Sequence, residues 1–376
     1  MISILSVFPP FRGGISTFSD FLYKHLNRQT EVSAYNFSHL YPSILFPGKS
    51  QFSEGMEEPN YAEPVLHSTN PLNWKEAAKQ VLRSNPDHLI VCYWHPFFAP
   101  AYLKVLKTAR RTNPGMRIHI LAHNVVPHEH FPFGHILSRK LFNSADQLIV
   151  LSQKSFDEAK KLEVESNIKK LFHPVYEQEL PAQDKSKLRQ KYGVSPDENV
   201  FLFFGLVRPY KGLDTFIEAM NELDLKNYQI KPVIAGEFYS DKERLLSMIN
   251  PEHREHYLIE DRFVSDDEMA EIFTLSDVLV MPYKSASQSG ILANAINFNL
   301  PVIVSDLKGL TEHLEHEKTA LIVKKEDISE LKNAIFKLID PNTRKALKHA
   351  LKPLKKELSW NTFTERFLDE ISKENH

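Results

Sequence analysis

The chain has 376 residues, 42% hydrophobic and 25% charged, with a formal net charge of −2 and an isoelectric point near 6.8. That length suits two domains of roughly 150 to 200 residues each, and the composition excludes a disordered, fibrous or membrane-spanning chain. The charge balance leaves no basic footprint for nucleic acid, and a single cysteine, Cys92, excludes an intrachain disulfide or a thiolate metal cluster and suits a reducing compartment.

Met1 to Phe8 reads directly as a strand, with neither a basic segment ahead of an apolar stretch nor a small-residue cleavage site, so a cytoplasmic location is expected. Pro9-Pro10-Phe11-Arg12-Gly13-Gly14 then turns into a helix over Ser16 to Leu26. Adjacent glycines admit close backbone approach to a ligand, or simply a tight turn that needs glycine dihedrals. The spaced G-x-G-x-x-G of dinucleotide enzymes is missing, which argues against a dehydrogenase. Ser38 to Asn70, rich in Pro, Ser, Tyr and Glu without a period, reads as a surface excursion.

Short β-branched runs then alternate with helical segments, the grammar of α/β domains with parallel sheets. Strands are expected at His88 to Tyr93, Arg117 to Ala122 and Gln147 to Leu151, and helices at Trp74 to Ser84 and Ala101 to Thr112. After Ala122 come His123, His128, Glu129 and His130. Pro127 disfavours a shared helix and the order is not H-E-x-x-H, so a polar substrate loop is expected in preference to a metal site. His123, directly at a strand end, is best placed to meet a substrate hydroxyl. Phe131 to Lys140, with Lys104, Lys107, Arg110 and Arg111, mixes apolar and basic residues, which suits either a solvated face or one resting on anionic lipid.

Glu177 to Ser195 is charged and reads as a linker, which places a domain boundary near 177. A second strand series is expected at Val200 to Phe204, Lys231 to Ala235, Tyr257 to Glu260, Val278 to Met281, Pro301 to Val304 and Ala320 to Val323. Its first strand runs into Gly205-Leu206-Val207-Arg208-Pro209-Tyr210-Lys211-Gly212. Ligands of open α/β sheets bind beyond the carboxyl ends of strands. There a guanidinium grips two phosphate oxygens through its planar fork, while an ammonium acts as a point charge. Further on, Ser285 to Ala295 passes from small polar residues into a helical apolar pattern. That is either a second anion site at a helix N-terminus or an ordinary cap at Ser287 or Ser289. The closing segment keeps an apolar stripe at Trp360, Phe363, Phe367 and Ile371.

Together these residues resemble family 4 of the retaining glycosyltransferases, within glycosyl transferases group 1. The marks are Pro9-Pro10 with Gly13-Gly14-Ile15, the strand ending in His123, Phe204 to Asp214, Ala235-Gly236-Glu237, and the helix Asp266 to Phe273 before Ser276-Asp277-Val278. Pro301 to Asp306 with Gly309 and Glu312, and the final Ser359-Trp360 helix, complete the set. The resemblance implies a GT-B α/β fold: two Rossmann-like domains with parallel sheets facing across a cleft. An acceptor domain would span 1–176, a donor domain 177–358, and a helix at 359–376 would cross back to the first.

It further implies that Gly13 and Gly14 line the cleft, that Arg208 and Lys211 contact the diphosphate, and that His123 lies beside the sugar. Gly236, Glu237, Phe263 and Val264 would lie near the base. Ser289, Gly290 and Ile291 would present backbone N–H groups to the leaving phosphate, and Asn294 would meet the ribose. The partners implied are a UDP- or GDP-sugar and a glycan or lipid-linked acceptor, with no cofactor and no metal. No Asp-x-Asp occurs in the chain, in keeping with that. Two departures stand out. Ala286 and Asn294 occupy the places of two glutamates common in the family, and the arginine often found directly after the glycine matching Gly205 stands two residues later, at Arg208. Competing readings are a non-catalytic nucleotide-sugar binding subunit and a sugar-nucleotide epimerase on the same fold.

Overall fold

The computed structural model describes residues 1–41, 51–52, 59–126, 131–175, 184–239, 241–286 and 289–373. These form two compact units, one of Met1–Pro174 with Trp360–His376 and one of Val175–Ser359. His128, Glu129, His130 and Ser287 lie outside the described residues.

The first unit holds β1 (Ile2–Leu5), β2 (Val32–His39), β3 (Ala62–His67), β4 (His88–Tyr93), β5 (Arg117–Ala122), β6 (Gln147–Val150) and β7 (Asn167–Lys170). They make one parallel sheet in the order β3-β2-β1-β4-β5-β6-β7. Leu89, Ile90, Val91, Cys92 and Tyr93 in β4 are wholly buried, as a central parallel strand covered on both faces requires. The stretch expected to be a surface excursion instead supplies an edge strand. Ala62–His67 pairs with β2, and Pro64 is tolerated there because an outermost strand has one side free of ladder bonds.

The apolar stripe of the helix Trp360–Ser372 is buried against the helix Gly14–Leu26, with the Trp360 ring 4.9 Å from Phe18 and 5.6 Å from Phe21. Phe363 and Phe367 are fully buried, each contributing about 1.5 to 3 kcal/mol. Farther along this helix, Gln147 donates to the Glu370 carbonyl at 3.4 Å, and Arg117 donates to that of Lys373 at 2.6 Å.

The second unit holds β8 (Asn199–Phe204), β9 (Ile230–Ala235), β10 (Leu258–Glu260), β11 (Val278–Met281), β12 (Val302–Ser305) and β13 (Leu321–Val323). This sheet is also parallel, ordered β10-β9-β8-β11-β12-β13. The charged segment expected to be a linker is, from Asp184 onward, part of this unit. Asp184 caps the helix Lys185–Lys191, whose Leu188 and Arg189 are buried. Arg189 and Lys185 reach Asp277 at 2.6 and 2.8 Å, and the same carboxylate accepts the Val200 N–H at 2.8 Å. A buried pair of this kind costs about 3 to 5 kcal/mol to break from one side, so the charge serves packing. No helix among the described residues is long and apolar enough to cross a membrane.

In each sheet the chain leaves its first strand toward one edge and later returns to pair on that strand's other side. The reversal falls between β1 and β4 in the first unit and between β8 and β11 in the second. Such switch points, beyond the carboxyl ends of the strands, are where open α/β sheets bind ligands.

Candidate functional site

Everything after Phe204 and Met281 converges on the switch point of the second unit. Gly205 leaves β8 at φ +97° and Gly236 leaves β9 at φ +146°, conformations that disfavour a side chain. Space forbids one as well. A Cβ on Gly236 would stand 2.2 Å from the Gly205 carbonyl oxygen, and one on Gly205 would stand 2.6 Å from Ile291 Cδ1 and 2.8 Å from Lys211 Nζ. The two glycines let the loops after β8 and β9 touch and bring the amine of Lys211 against bare backbone.

Pro209 presets the φ of a short 3₁₀ turn, Pro209–Lys211, closed by the Lys211 N–H donating to the Arg208 carbonyl at 2.9 Å. Arg208 enters this turn from extended backbone, φ −131° and ψ 153°, so the two cations leave opposite ends of one turn. Its guanidinium lies over the Tyr239 ring at 5.0 Å. Lys211 is 6% exposed, and its ammonium sits 5.7 Å from the Tyr283 ring. Burial, with the like charge of Arg208 beside it, lowers the lysine from 10.5 to about 7. From the far side, Lys284 braces the turn, donating its N–H to the Tyr210 carbonyl at 2.7 Å and its ammonium to Asp214 at 2.6 Å.

After β11, the Ser289 hydroxyl caps the helix Gly290–Asn297, accepting the Leu292 N–H at 3.4 Å. Ser289 is thus the cap, and Gly290 and Ile291 are the first helical residues; Ile291 packs beside Gly205. The helix therefore points its N-terminus, with its partial positive charge, into the neighbourhood of Lys211. Asn294 directs its amide to the Met269 sulfur at 3.2 Å, and Ala286 is buried. Glu237 is buried, and its backbone carbonyl accepts the Val207 N–H at 2.9 Å. Phe263 is 38% exposed, and Val264 is half-buried in the loop between β10 and the helix Asp266–Leu275.

In the first unit, Gly13 at φ +114° precedes the helix that Gly14 begins, and a Cβ on either would meet nothing within 4 Å. His123 follows β5, its N–H donating to the Tyr93 carbonyl at 2.8 Å. It is 1% exposed, with its ring edge-on to Phe18 at 4.6 Å. Burial, with His173 nearby, lowers it to about 3, so its imidazole is neutral at physiological pH. Tyr239 and Tyr283 carry no motif of their own. The one signal for them in the sequence is place, just beyond the ends of β9 and β11.

Paired cations and a helix N-terminus thus stand at the switch point of the second unit's Rossmann-like sheet, an arrangement whose chemistry suits a phosphorylated ligand. Residues 184–352 match the family model described as glycosyl transferases group 1. That match lies within the second unit. The chain is 29% identical over 143 residues to an uncharacterized glycosyltransferase of Methanocaldococcus jannaschii, covering 38% of this chain and 36% of that one. It is 23% identical over 361 residues to the GDP-mannose-dependent alpha-(1-6)-phosphatidylinositol monomannoside mannosyltransferase of Mycolicibacterium smegmatis, covering 92% and 91%. The match spans between 36% and 45% of the lengths of the first three curated relatives. Among solved structures, Anabaena HepE in complex with UDP superposes with a TM-score of 0.75 at 15% identity, covering 99% of both chains. At that identity the likeness establishes the fold, GT-B.

Proposed function

We propose that the chain transfers a sugar from a UDP- or GDP-linked donor to a glycan or lipid-linked acceptor, with retention and without a metal. The observation that carries this reading is the pair Arg208 and Lys211, one half-buried and one buried, held by a single turn at the switch point of the second sheet. Two cations there offset the charge that grows on a diphosphate as the sugar leaves, the preorganised stabilisation that dominates many active sites. The bond from the anomeric carbon to the diphosphate breaks while the acceptor oxygen bonds to the same face of that carbon, and the acceptor proton passes to the departing phosphate oxygen. Support comes also from a relative named for GDP-mannose dependence and a structural neighbour that binds UDP.

Ala286, buried and without a polar side chain, together with Asn294, engaged by Met269, favours a second reading, a binding subunit without turnover. Incubation with UDP- and GDP-sugars, with and without glycan acceptors, separates the two. A transferase releases nucleotide faster when acceptor is present; a binding subunit releases none.

The acceptor reading extends to an anionic membrane. The packed helices Ala99–Thr112 and Gly134–Phe142 contain no acidic residue and expose Lys104, Lys107, Arg111 and Lys140. Beside them Phe133 is 77% and Ile136 65% exposed. Basic charge flanking apolar tips suits a surface of anionic lipid. Co-sedimentation is expected with phosphatidylglycerol vesicles and not with phosphatidylcholine vesicles, and it should weaken in Phe133→Ser. Equal behaviour with both lipids would remove the membrane from the account.

A further inference from the structure

The turn that carries Arg208 and Lys211 is seated on Pro282-Tyr283-Lys284, the segment that follows β11. Gly212 has φ +71°, and a Cβ there would stand 2.0 Å from the Pro282 carbonyl oxygen, so the contact needs bare backbone. The Tyr210 ring meets Tyr283 edge-on at 6.2 Å, and the Lys211 ammonium lies 5.7 Å from the same Tyr283 ring. Lys284 grips the chain on both sides of Lys211. Its N–H donates to the Tyr210 carbonyl at 2.7 Å, and its ammonium donates to the Asp214 carboxylate at 2.6 Å. We propose that Lys284 is a positioning residue of the donor site, a clasp that holds the turn against the loop after β11 and so sets where the Lys211 amine stands. The inference rests on the donor-site reading above, and it adds a third cation whose partner is the turn itself.

The two ends of the clasp belong to rigid elements. Asp214 lies in the first turn of the helix Leu213–Asn221, and Lys284 stands three residues beyond the end of β11. Their ion pair therefore ties a helix to a strand end across the short turn between them. Both side chains are half-buried, where a pair is screened less than on an open surface. Glu326, 3.9 Å from the same ammonium, adds a second carboxylate. Without the clasp, the turn can lift from Pro282 and water can reach the Lys211 amine. The proton on that amine reports the difference. Held where it is, the lysine is lowered from 10.5 to about 7, chiefly by burial, and hydration would return it upward. Among the described residues, the charged and titratable groups facing it are Arg208 on its own turn and the Tyr283 phenol on the loop after β11. Beside them β8 presents bare Gly205, and the helix Gly290–Asn297 presents the apolar Ile291.

The test uses the full chain and compares Lys284→Met with Asp214→Asn, which keeps the oxygen that accepts the Thr215 N–H at 3.0 Å. Lysine-selective NMR follows the Lys211 amine against pH, its signal being the one lost in Lys211→Met. Charge alone would move this amine in opposite senses: removing the Lys284 cation raises it, and removing the Asp214 carboxylate lowers it. Loss of the clasp exposes the amine in both variants, so both are expected to raise its midpoint, by about one pH unit or more. Binding of the preferred nucleotide, with UDP and GDP as probes, should weaken about two- to fivefold in each, the range of a partly exposed ion pair. The double variant should lose no more than either single one, as coupled partners do. A Lys211 midpoint that is unmoved or lowered in Asp214→Asn overturns the proposal, and so do losses that add in the double variant. Should wild type bind neither UDP nor GDP, the donor reading fails, while the lysine titration still decides whether Lys284 seats the amine.

Discussion

Lys211→Met is expected to make the ligand-free protein more stable at pH 7 while lowering turnover on its nucleotide sugar by about a hundred- to a thousandfold. The loss follows from removing a charge aimed at the leaving group, about 2.7 to 4 kcal/mol for one such donor. Arg208→Ala should lose a similar factor, since the two cations act on the same developing charge. The gain follows from burial. In the unfolded chain the amine titrates near 10.5, in the folded protein near 7, so the unfolded state holds the proton more tightly. Stability therefore rises with pH between those values, and the whole burden is carried below about pH 7. At about 1.36 kcal/mol per pH unit, the fall from 10.5 to about 7 amounts to about 5 kcal/mol. An unbranched thioether of similar length fills the site without that burden. Urea denaturation at pH 7 and at pH 10 checks the sign: the advantage of Lys211→Met over wild type should shrink at the higher pH. A variant that is less stable than wild type at pH 7 would mean that the amine is not desolvated as described.

Binding of the donor should take up a proton. A nucleotide sugar carries two phosphodiester charges that do not titrate near neutrality, so any proton exchanged comes from the protein. With those charges beside it, the Lys211 amine is driven back toward its protonated form. Below about pH 6 the lysine is charged before and after binding, and affinity should be flat. Above about pH 7 the free site is neutral and must capture a proton, so affinity should fall by up to tenfold per pH unit. Among the described residues, the charged and titratable groups facing the amine are Arg208 and the Tyr283 phenol. Burial pushes the phenol well above its usual range, so it supplies no competing transition.

Much of this site can be read from the sequence because the chemistry is local. Arg208 and Lys211 flank a proline in one short turn after an unmistakable apolar strand, and Ser289 stands ahead of a helical pattern. What the sequence conceals are relations between segments far apart in the chain. That Gly205 must be bare because Ile291 and Lys211 approach it, and that Tyr239 lies under Arg208, depend on β8, β9 and β11 being neighbours. Polarity misleads in two places. Ala62–His67 carries a proline and a glutamate that an edge strand accepts, and the charge of the helix Lys185–Lys191 is spent on Asp277 rather than on solvent. His123 shows the same gap in reverse. Its place at a strand end is legible, but its burial against Phe18 is a property of the packed helix Gly14–Leu26.

The most direct test of the donor site is calorimetric titration of a panel of UDP- and GDP-sugars near pH 8, in two buffers of different ionisation enthalpy. At least one nucleotide sugar should bind, with enthalpies that differ between buffers by close to one proton taken up per site. That difference should vanish near pH 6 and in Lys211→Met. Binding of every panel member too weakly to measure, or binding that is independent of buffer and undiminished in both Arg208→Ala and Lys211→Met, would contradict the assignment of these two residues to a nucleotide diphosphate.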